Sequence, residues 1–529
     1  MLNSESAIKK PQASLTGHSL ASGSATLVSR VSGFIRDIVT ANLFGASVGY
    51  DAFILAFRIP NLMRRLFAEG AFSQAFVPVF AEYSQKKNPE EIKSFINKIA
   101  GNLTLILIIV TVSGMFLAPW LIKIAAPGFS KVFLENPAKF ATSVLMLQIV
   151  FPYILFISLT ALAAGILNCY HKFLVPAFTP VLLNLSLIGF SLILAKKIDP
   201  PELSLAWGVL AAGILQLAFQ LPFLYKLRLL PKLTINWQDP GVKRILLLMI
   251  PAILGAAISQ INILIDSVFA SFLTTGSITW LYYADRLMEF PLGVFGVSFA
   301  TVILPQLSRS FANKNYQQFN IVLSWGIKCA LLVGVPSSLI LLLLAQPIVS
   351  TLFLTGKFTH HDVLMSSQAL MAYALSVLGI MLAKIFSSGF YAIGDLKTPV
   401  KVGILVLLFN IFLNTIFTKY LQHVGIALAT SIVSILHAAT LYFLLIKKGI
   451  VNLPATSSFN LELLFAISAL IIFLSFYPQH ISNMSNWLVW PIQYKIFKLT
   501  EIICLSAIIY CGTLWICGFR LKNILVGGC

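Results

Sequence analysis

Five arginines occupy two short stretches near the N-terminus that otherwise read as membrane helix. Arg30 and Arg36 lie in SRVSGFIRD, from Ser29 to Asp37. Arg58, Arg64 and Arg65 lie in DAFILAFRIPNLMRRLFAEG, from Asp51 to Gly70. An arginine at a bilayer centre costs roughly 2.5–3.5 kcal/mol on insertion scales. A group of them persists only where water, partner charges or an anionic ligand offset that cost. On a helix Arg30 and Asp37 share a face, seven residues apart, with Arg36 to one side. Asp51, Arg58 and Arg65 repeat at the same interval, and Asn61 lies one turn before Arg64 and Arg65. Much later the chain adds Asp285, Arg286 and Glu289. Helical spacing would let Arg65 pair with Glu69 and Arg286 with Glu289. The set is net positive, and a guanidinium suits bidentate contact with phosphate. Anion binding is therefore the chemistry these residues suggest. Snorkelling or interhelical ion pairing is the competing account, and it fits Arg58 and Arg65 better than Arg30, Arg36, Arg64 and Arg286.

A second polar group lies in the other half of the chain. Asp266 is an acid inside the apolar run INILIDSVFASF, Asn410 and Asn414 share a helical face, and Thr430 lies on the helix that follows. Oxygen ligands of this kind suit a hard cation. Polar residues holding helices together would have the same look. His360-His361-Asp362 is a weaker metal candidate, because adjacent histidines do not share a helix face. Motifs for nucleophilic, zinc-dependent or nucleotide chemistry do not occur. GVFGVSFA, from Gly293 to Ala300, reads as small-residue helix packing. The six cysteines contain no CxxC pair and read as small apolar side chains.

The elements that must hold these residues follow from composition. The 529 residues are 58% hydrophobic and 10% charged, against about 25% charged in a soluble domain. Mean hydropathy is +0.89. An all-α polytopic membrane protein is expected, with about fourteen spanning helices. Their approximate spans are 18–43, 50–83, 95–122, 140–168, 173–196, 203–227, 242–272, 279–310, 318–348, 362–390, 397–417, 424–447, 460–478 and 496–519. The second and eighth are the longest and least apolar. Pro60 and Pro78 in one, and Pro291 and Pro305 in the other, predict kinks or breaks.

A net charge of +19 would suggest nucleic acid in a soluble chain. Here it falls mostly in short loops, as the positive-inside rule produces. Lys86, Lys87, Lys226, Arg228, Lys232, Lys243, Arg244, Lys447 and Lys448 lie on one side; Lys123, Lys196, Lys197, Lys357 and Lys419 lie on the other. No nucleic-acid partner is expected, and both termini are expected in the cytoplasm.

An internal repeat organises the whole. Ala56-Phe57-Arg58 with Pro78 resembles Ala284-Asp285-Arg286 with Pro305, and Asn168 to Asn184 resembles Tyr391 to Asn410. The offsets stay between 225 and 228 residues. About six helices fit in that interval, so both copies run in one orientation, related by an axis along the membrane normal. The expected organisation is a tail at 1–17, a first lobe of helices 1–6 at 18–228, a second lobe of helices 7–12 at 242–448, two extra helices at 460–519 and a tail at 520–529. Substrate sites in such repeats lie between the copies, which would give a central cationic cavity.

The same segments carry a family resemblance. SRVSGFIRD, DAFILAFRIPNLMRRLFAEGAFSQAFVPVFAEY and YYADRLMEFPLGVFGVSFATVILPQLS resemble signature segments of the MurJ (MviN) lipid II flippases. That family belongs to the multidrug, oligosaccharidyl-lipid and polysaccharide exporter superfamily. APGF, FPYIL and GKFT also fit, so the resemblance covers nearly the whole chain. It implies a transporter rather than an enzyme. The substrate would be lipid II, an undecaprenyl-diphosphate muropeptide, moved from the inner to the outer leaflet of a bacterial cytoplasmic membrane for cell-wall synthesis. It implies two lobes around a cavity and a lipid-tail groove formed by the last two helices. By resemblance Arg30, Arg36, Asp37, Asn61, Arg64 and Arg286 serve the substrate. Ser29, Asp51 and Glu289 serve gating and charge pairing, the role that helical spacing gives Arg65. Asp266, Asn410, Asn414 and Thr430 match a sodium site found in some members, so Na+ is a candidate coupling ion; no other cofactor is expected. Membrane lipids and cell-wall synthesis proteins are the further partners implied. A polysaccharide-lipid flippase or an ion-coupled exporter of the same superfamily is the alternative. A cationic-drug exporter calls for an acidic cavity, and a lipid-phosphate enzyme needs a nucleophile or paired carboxylates that do not occur here.

Overall fold

In a computed structural model, residues 12–65, 72–129, 137–293, 297–449, 458–481 and 486–519 are described. Every regular element among them is a helix, as a backbone in lipid requires when no water can satisfy its polar groups. The tails at 1–11 and 520–529, Glu69 and residues 294–296 of the Gly293–Ala300 run lie outside the described residues. The chain forms two compact units, Met1–Leu264 and Ile265–Cys529.

The first unit contains α1 (Gln12–Phe44), α2 (Val48–Met63), α3 (Ser73–Lys86), α4 (Pro89–Phe116), α5 (Ala118–Ala125), α6 (Pro137–Val150), α7 (Tyr153–Cys169), α8 (Leu174–Ile193), α9 (Leu203–Lys226) and most of α10 (Pro240–Ser271). Helix α8 packs between α1 and α9, α9 also packs on α7, and α2 packs on α6. Part of the core is an aromatic ladder on α3 and the turn before it. Phe72, Phe76 and Phe80 recur at i, i+4, and their rings stack at 5.2 and 5.1 Å. They are buried against Ile96, Ile166 and Leu224.

The second unit contains α11 (Ser277–Pro291), α12 (Val297–Ala312), α13 (Tyr316–Leu343), α14 (Ala345–Phe353), α15 (His360–Ala374), α16 (Ser376–Ala392), α17 (Lys397–Lys447), α18 (Ser458–Ile481), α19 (Asn486–Val489) and α20 (Ile492–Ile516). Here α16 is central, packing on α12, α13 and α17, while α11 packs on α15 and α18 on α20.

Among the described residues, eight helical stretches are long and apolar enough to cross a membrane. One of them, α17, has 51 residues and holds two expected spans. The backbone leaves helical geometry at Gln422 (φ 50°, ψ −131°), between the runs expected at 397–417 and 424–447. A Cβ on Gly425 would lie 2.5 Å from the Phe417 carbonyl oxygen, so the chain can turn back on itself there only because that side chain is missing.

Several expected spans consist of two segments. The second holds α2 and α3, and the eighth holds α11 and α12, the first of these ending at Pro291. Pro60, Pro78 and Pro305 lie inside helices. Other spans break where a proline stands at or near the start of the following segment, as at Pro119, Pro152 and Pro347, positions a proline tolerates in a first turn. The break at Leu375 has no proline.

Candidate functional site

In the first unit the site is built on α1. Arg36 and Asp37 are buried, 6% and 3% exposed. The guanidinium donates to one oxygen of Asp37 through Nη2 at 2.6 Å and Nε at 3.0 Å. Its Nη1 donates to Asn184 Oδ1 on α8 at 3.1 Å. The Asn184 amide in turn donates to Ser32 Oγ at 2.9 Å and to the Ser29 carbonyl at 3.2 Å. One asparagine from α8 thus spans two turns of α1. Adjacent helical residues do not ordinarily face each other. Here the polar slot against α8 draws both into contact, because a buried ion left alone costs far more than a bent side chain.

Face sharing alone places Asp37 with Arg30. The structure pairs Asp37 with its neighbour Arg36, and Arg30 is exposed. Below this pair, Thr40 Oγ1 donates to the Asp37 carbonyl and accepts from Tyr50 Oη of α2 at 3.0 Å.

On α2, Asp51 is 3% exposed in the first turn, where a carboxylate meets the positive end of the helix. Ser47 caps that helix by accepting from the Tyr50 amide, and it donates to Glu202 at 2.7 Å. Near the other end, Asn61 Oδ1 receives Nε and Nη2 of Arg64 at 3.1 and 2.9 Å. Asn61 so orients the guanidinium of Arg64 one turn away. Arg58 and Arg65 are half-buried. The expected partner of Arg65, Glu69, is among the residues not described.

In the second unit, Arg286 on α11 pairs with Glu289 at 3.2 Å. Its Nε reaches Tyr282 Oη at 3.4 Å, and the guanidinium lies 5.4 Å from the Tyr282 ring centre. This side chain is one third exposed (33%). Lys384 of α16 interacts electrostatically with Glu289.

The oxygen cluster is assembled as well. Asn414 Nδ2 donates to Asp266 Oδ1 at 2.9 Å and to Asn410 Oδ1 at 2.8 Å, and Thr430 Oγ1 lies 3.4 Å from Asp266 Oδ2. Asn410 and Asn414 are fully buried, yet Asn410 Nδ2 and Asn414 Oδ1 have no partner. An orphaned carbonyl oxygen beside a carboxylate and a hydroxyl fits a hard monovalent cation. Among the described residues there is no group of three or more His, Cys, Asp and Glu that could hold a metal ion.

Sequence reasoning passed over three residues here. Asn184 occurred only as the counterpart of Asn410 in the repeat. Lys384, a lone charge in SVLGIMLAKIFSSGF, meets the criterion applied to the arginines. Tyr282 stands one turn before Arg286.

Residues 40–492 match the family model described as Lipid II flippase MurJ. The chain belongs to the MurJ family of lipid II flippases. A Vibrio cholerae relative named probable lipid II flippase MurJ is 42% identical over 502 residues, covering 94% of this chain and 95% of the relative. A solved MurJ structure in an inward closed conformation superposes with a TM-score of 0.74 at 29% identity, over 93% of this chain and 98% of that one. An inward-facing multidrug transporter of the MATE family shares the fold, with a TM-score of 0.65 at 15% identity over 82% of this chain and 98% of its own. Membership in the MurJ family makes the buried Arg36 of α1 and the half-buried Arg58, Arg64 and Arg65 parts of a transporter.

Proposed function

We propose that this protein moves lipid II from the inner to the outer leaflet of a bacterial cytoplasmic membrane, with both termini in the cytoplasm. The observation that carries the reading is the buried Arg36, held by Asp37 and Asn184 inside a polytopic MurJ-family chain. Its charge is neutralised at the helix and can be re-engaged by a stronger anion. A diphosphate offers two negative groups and bidentate geometry, so it competes for the guanidinium better than one carboxylate.

In this reading Arg36, Arg64 and Arg286 carry the diphosphate. Asp37, Asn61 and Glu289 hold those guanidinium groups when substrate is absent, which lowers the cost of the empty site. Asp51, Arg30 and Arg65 contribute to charge pairing during the cycle, with Ser29 lending its carbonyl to Asn184. The two copies of the repeat alternate between inward-open and outward-open states. The membrane potential, worth about 2.3 kcal/mol per charge per 100 mV, or sodium at Asp266, Asn410, Asn414 and Thr430, supplies the return. The last two helices, α18 and α20, accommodate the polyprenyl tail. Proteins of the cell-wall synthetic machinery take up the delivered substrate.

The test is complementation in cells depleted of their own flippase, with leaflet accessibility of lipid II as the readout. Arg36→Ala, Arg64→Ala and Arg286→Ala should each abolish rescue at normal protein levels, with outer-leaflet lipid II falling. Normal growth of all three would remove the site assignment. Unchanged outer-leaflet lipid II on depletion of this protein as sole flippase would remove the function.

A further inference from the structure

A cavity of about 660 Å³ opens at one end of the second unit. Its wall includes Thr355 and Phe358 from the turn before α15, His360 and His361 at the start of α15, Trp490, and Lys495 from the first turn of α20. Lys495 is the informative member. It is 3% exposed, yet its ammonium has no hydrogen-bond or ion-pair partner among the described residues. An ammonium at a cavity wall, carried by an otherwise buried side chain and without a partner among the described residues, is costly to hold there, and the arrangement is retained where a ligand brings the opposite charge.

Two further features share that wall. The hydroxyl of Thr355 is buried without a partner. Helix α15, fifteen residues long, begins at the cavity and turns the unpaired N–H groups of its first turn and its positive end toward it. The acid in the first turn of α15 is already engaged. Asp362 accepts from the Thr359 amide and hydroxyl and from Trp280 Nε1, each at 2.8 Å. What is left is cationic, and Trp490 and Phe358 supply an apolar border.

We propose that this cavity is a binding site for a phosphate-class oxyanion, with the Lys495 ammonium, the Thr355 hydroxyl and the His360 and His361 backbone N–H groups as its donors. It uses none of the arginines assigned to the diphosphate, and it stands or falls separately from them. The oxyanion has two sources, the headgroup of an anionic phospholipid or a free phosphate or diphosphate.

Hydrogen–deuterium exchange on the intact protein in neutral detergent locates the event. Pyrophosphate should slow exchange at the His360 and His361 amides in a saturable way. Lys495→Met should weaken that protection about tenfold or more, the loss expected for one charge-assisted hydrogen bond, while Lys495→Arg keeps it. In nanodiscs, protection by phosphatidylglycerol but not phosphatidylcholine assigns the site to a lipid headgroup. Equal exchange in both lipids, with protection on adding pyrophosphate, assigns it to the free anion. Absence of protection at these amides in the native protein overturns the proposal, as does protection unchanged in Lys495→Met. If Lys495→Met does not fold, the native titration and Thr355→Val decide alone. Because the readout is confined to the start of α15, anion binding at the arginine clusters cannot imitate it.

Discussion

Arg36 and Asp37 show how one pair of side chains satisfies two opposed demands. The pair must be neutral enough to sit in the membrane and loose enough to yield to a substrate. A contact of 2.6 Å between groups 7% and 4% exposed meets the first demand, and the single-oxygen geometry meets the second. Removing one partner takes from the other, still buried, the opposite charge held closest to it, an effect of about 3–5 kcal/mol. Asp37→Asn should therefore lower the melting temperature in detergent markedly, and Arg36→Met combined with Asp37→Leu should recover much of the loss. A double variant no more stable than Asp37→Asn would show that the charges do not stabilise each other. At this scale the sequence identified the residues but not their pairing. Arg36, Asp37 and Asn61 announce themselves as polar groups in apolar runs. Asn184 does not, since an asparagine in a membrane helix is ordinary until α8 is known to lie on α1.

At the scale of elements, boundaries carry the chemistry that periodicity cannot reveal. Apolar runs predicted where the helices lie, and proline predicted several of their breaks. The reversal at Gln422 follows instead from a backbone contact across Gly425, invisible in a hydropathy pattern. Between α16 and α17, Asp395 accepts from the Thr398 amide at 3.0 Å and its hydroxyl at 2.7 Å, and it pairs with Lys448 at the far end of α17. Burial works to raise the Asp395 carboxyl, but Lys448 and Thr398 outweigh it and hold the group well below the usual carboxylate range. The folded state thus binds this proton less readily than the unfolded state does. The stabilisation is fully present above the ordinary carboxylate value, near pH 4, and is lost as the pH falls through the lower folded value. Thermal stability of the native protein should drop below about pH 4, and Asp395→Asn should flatten that part of the profile. An identical acid limb in both proteins would exclude Asp395 as its source.

Across the whole molecule, the repeat matters less for its symmetry than for where the copies diverge. Asn184 and Asn410 correspond in sequence, and each receives a hydrogen bond beside an acid of an earlier helix, Asp37 in one unit and Asp266 in the other. The first unit places a guanidinium between asparagine and acid, whereas the second places the amide of Asn414 there. A fixed cation in one copy corresponds to a neutral amide in the other, which leaves the second acid suited to an exchangeable ion. Asp266→Ala should abolish any sodium dependence of transport or substrate binding while leaving protein levels normal. A sodium response equal to that of the native protein would exclude this cluster as the coupling site. The repeat was legible in the sequence because motifs and prolines recur at constant spacing, but the exchange of guanidinium for amide was not, since it depends on contacts between helices.

The stretch between α9 and α10 has its own consequence. Residues 232–238 are exposed, yet they are fastened to α4 along their length. The Lys232 and Thr234 amides donate to Asn97, Asn236 exchanges two hydrogen bonds with Asn102, and Asp239 pairs with Lys98 at 2.8 Å. Gly101 lets the chain lie this close, since a Cβ there would be 2.2 Å from the Thr234 carbonyl oxygen. Exposed basic linkers are where proteases usually nick a chain. This one presents cleavable residues in a form no protease cleft can accept until several contacts release together. Durability in a cell full of peptidases is built into a segment that, on accessibility alone, looks like the weakest point of the polypeptide.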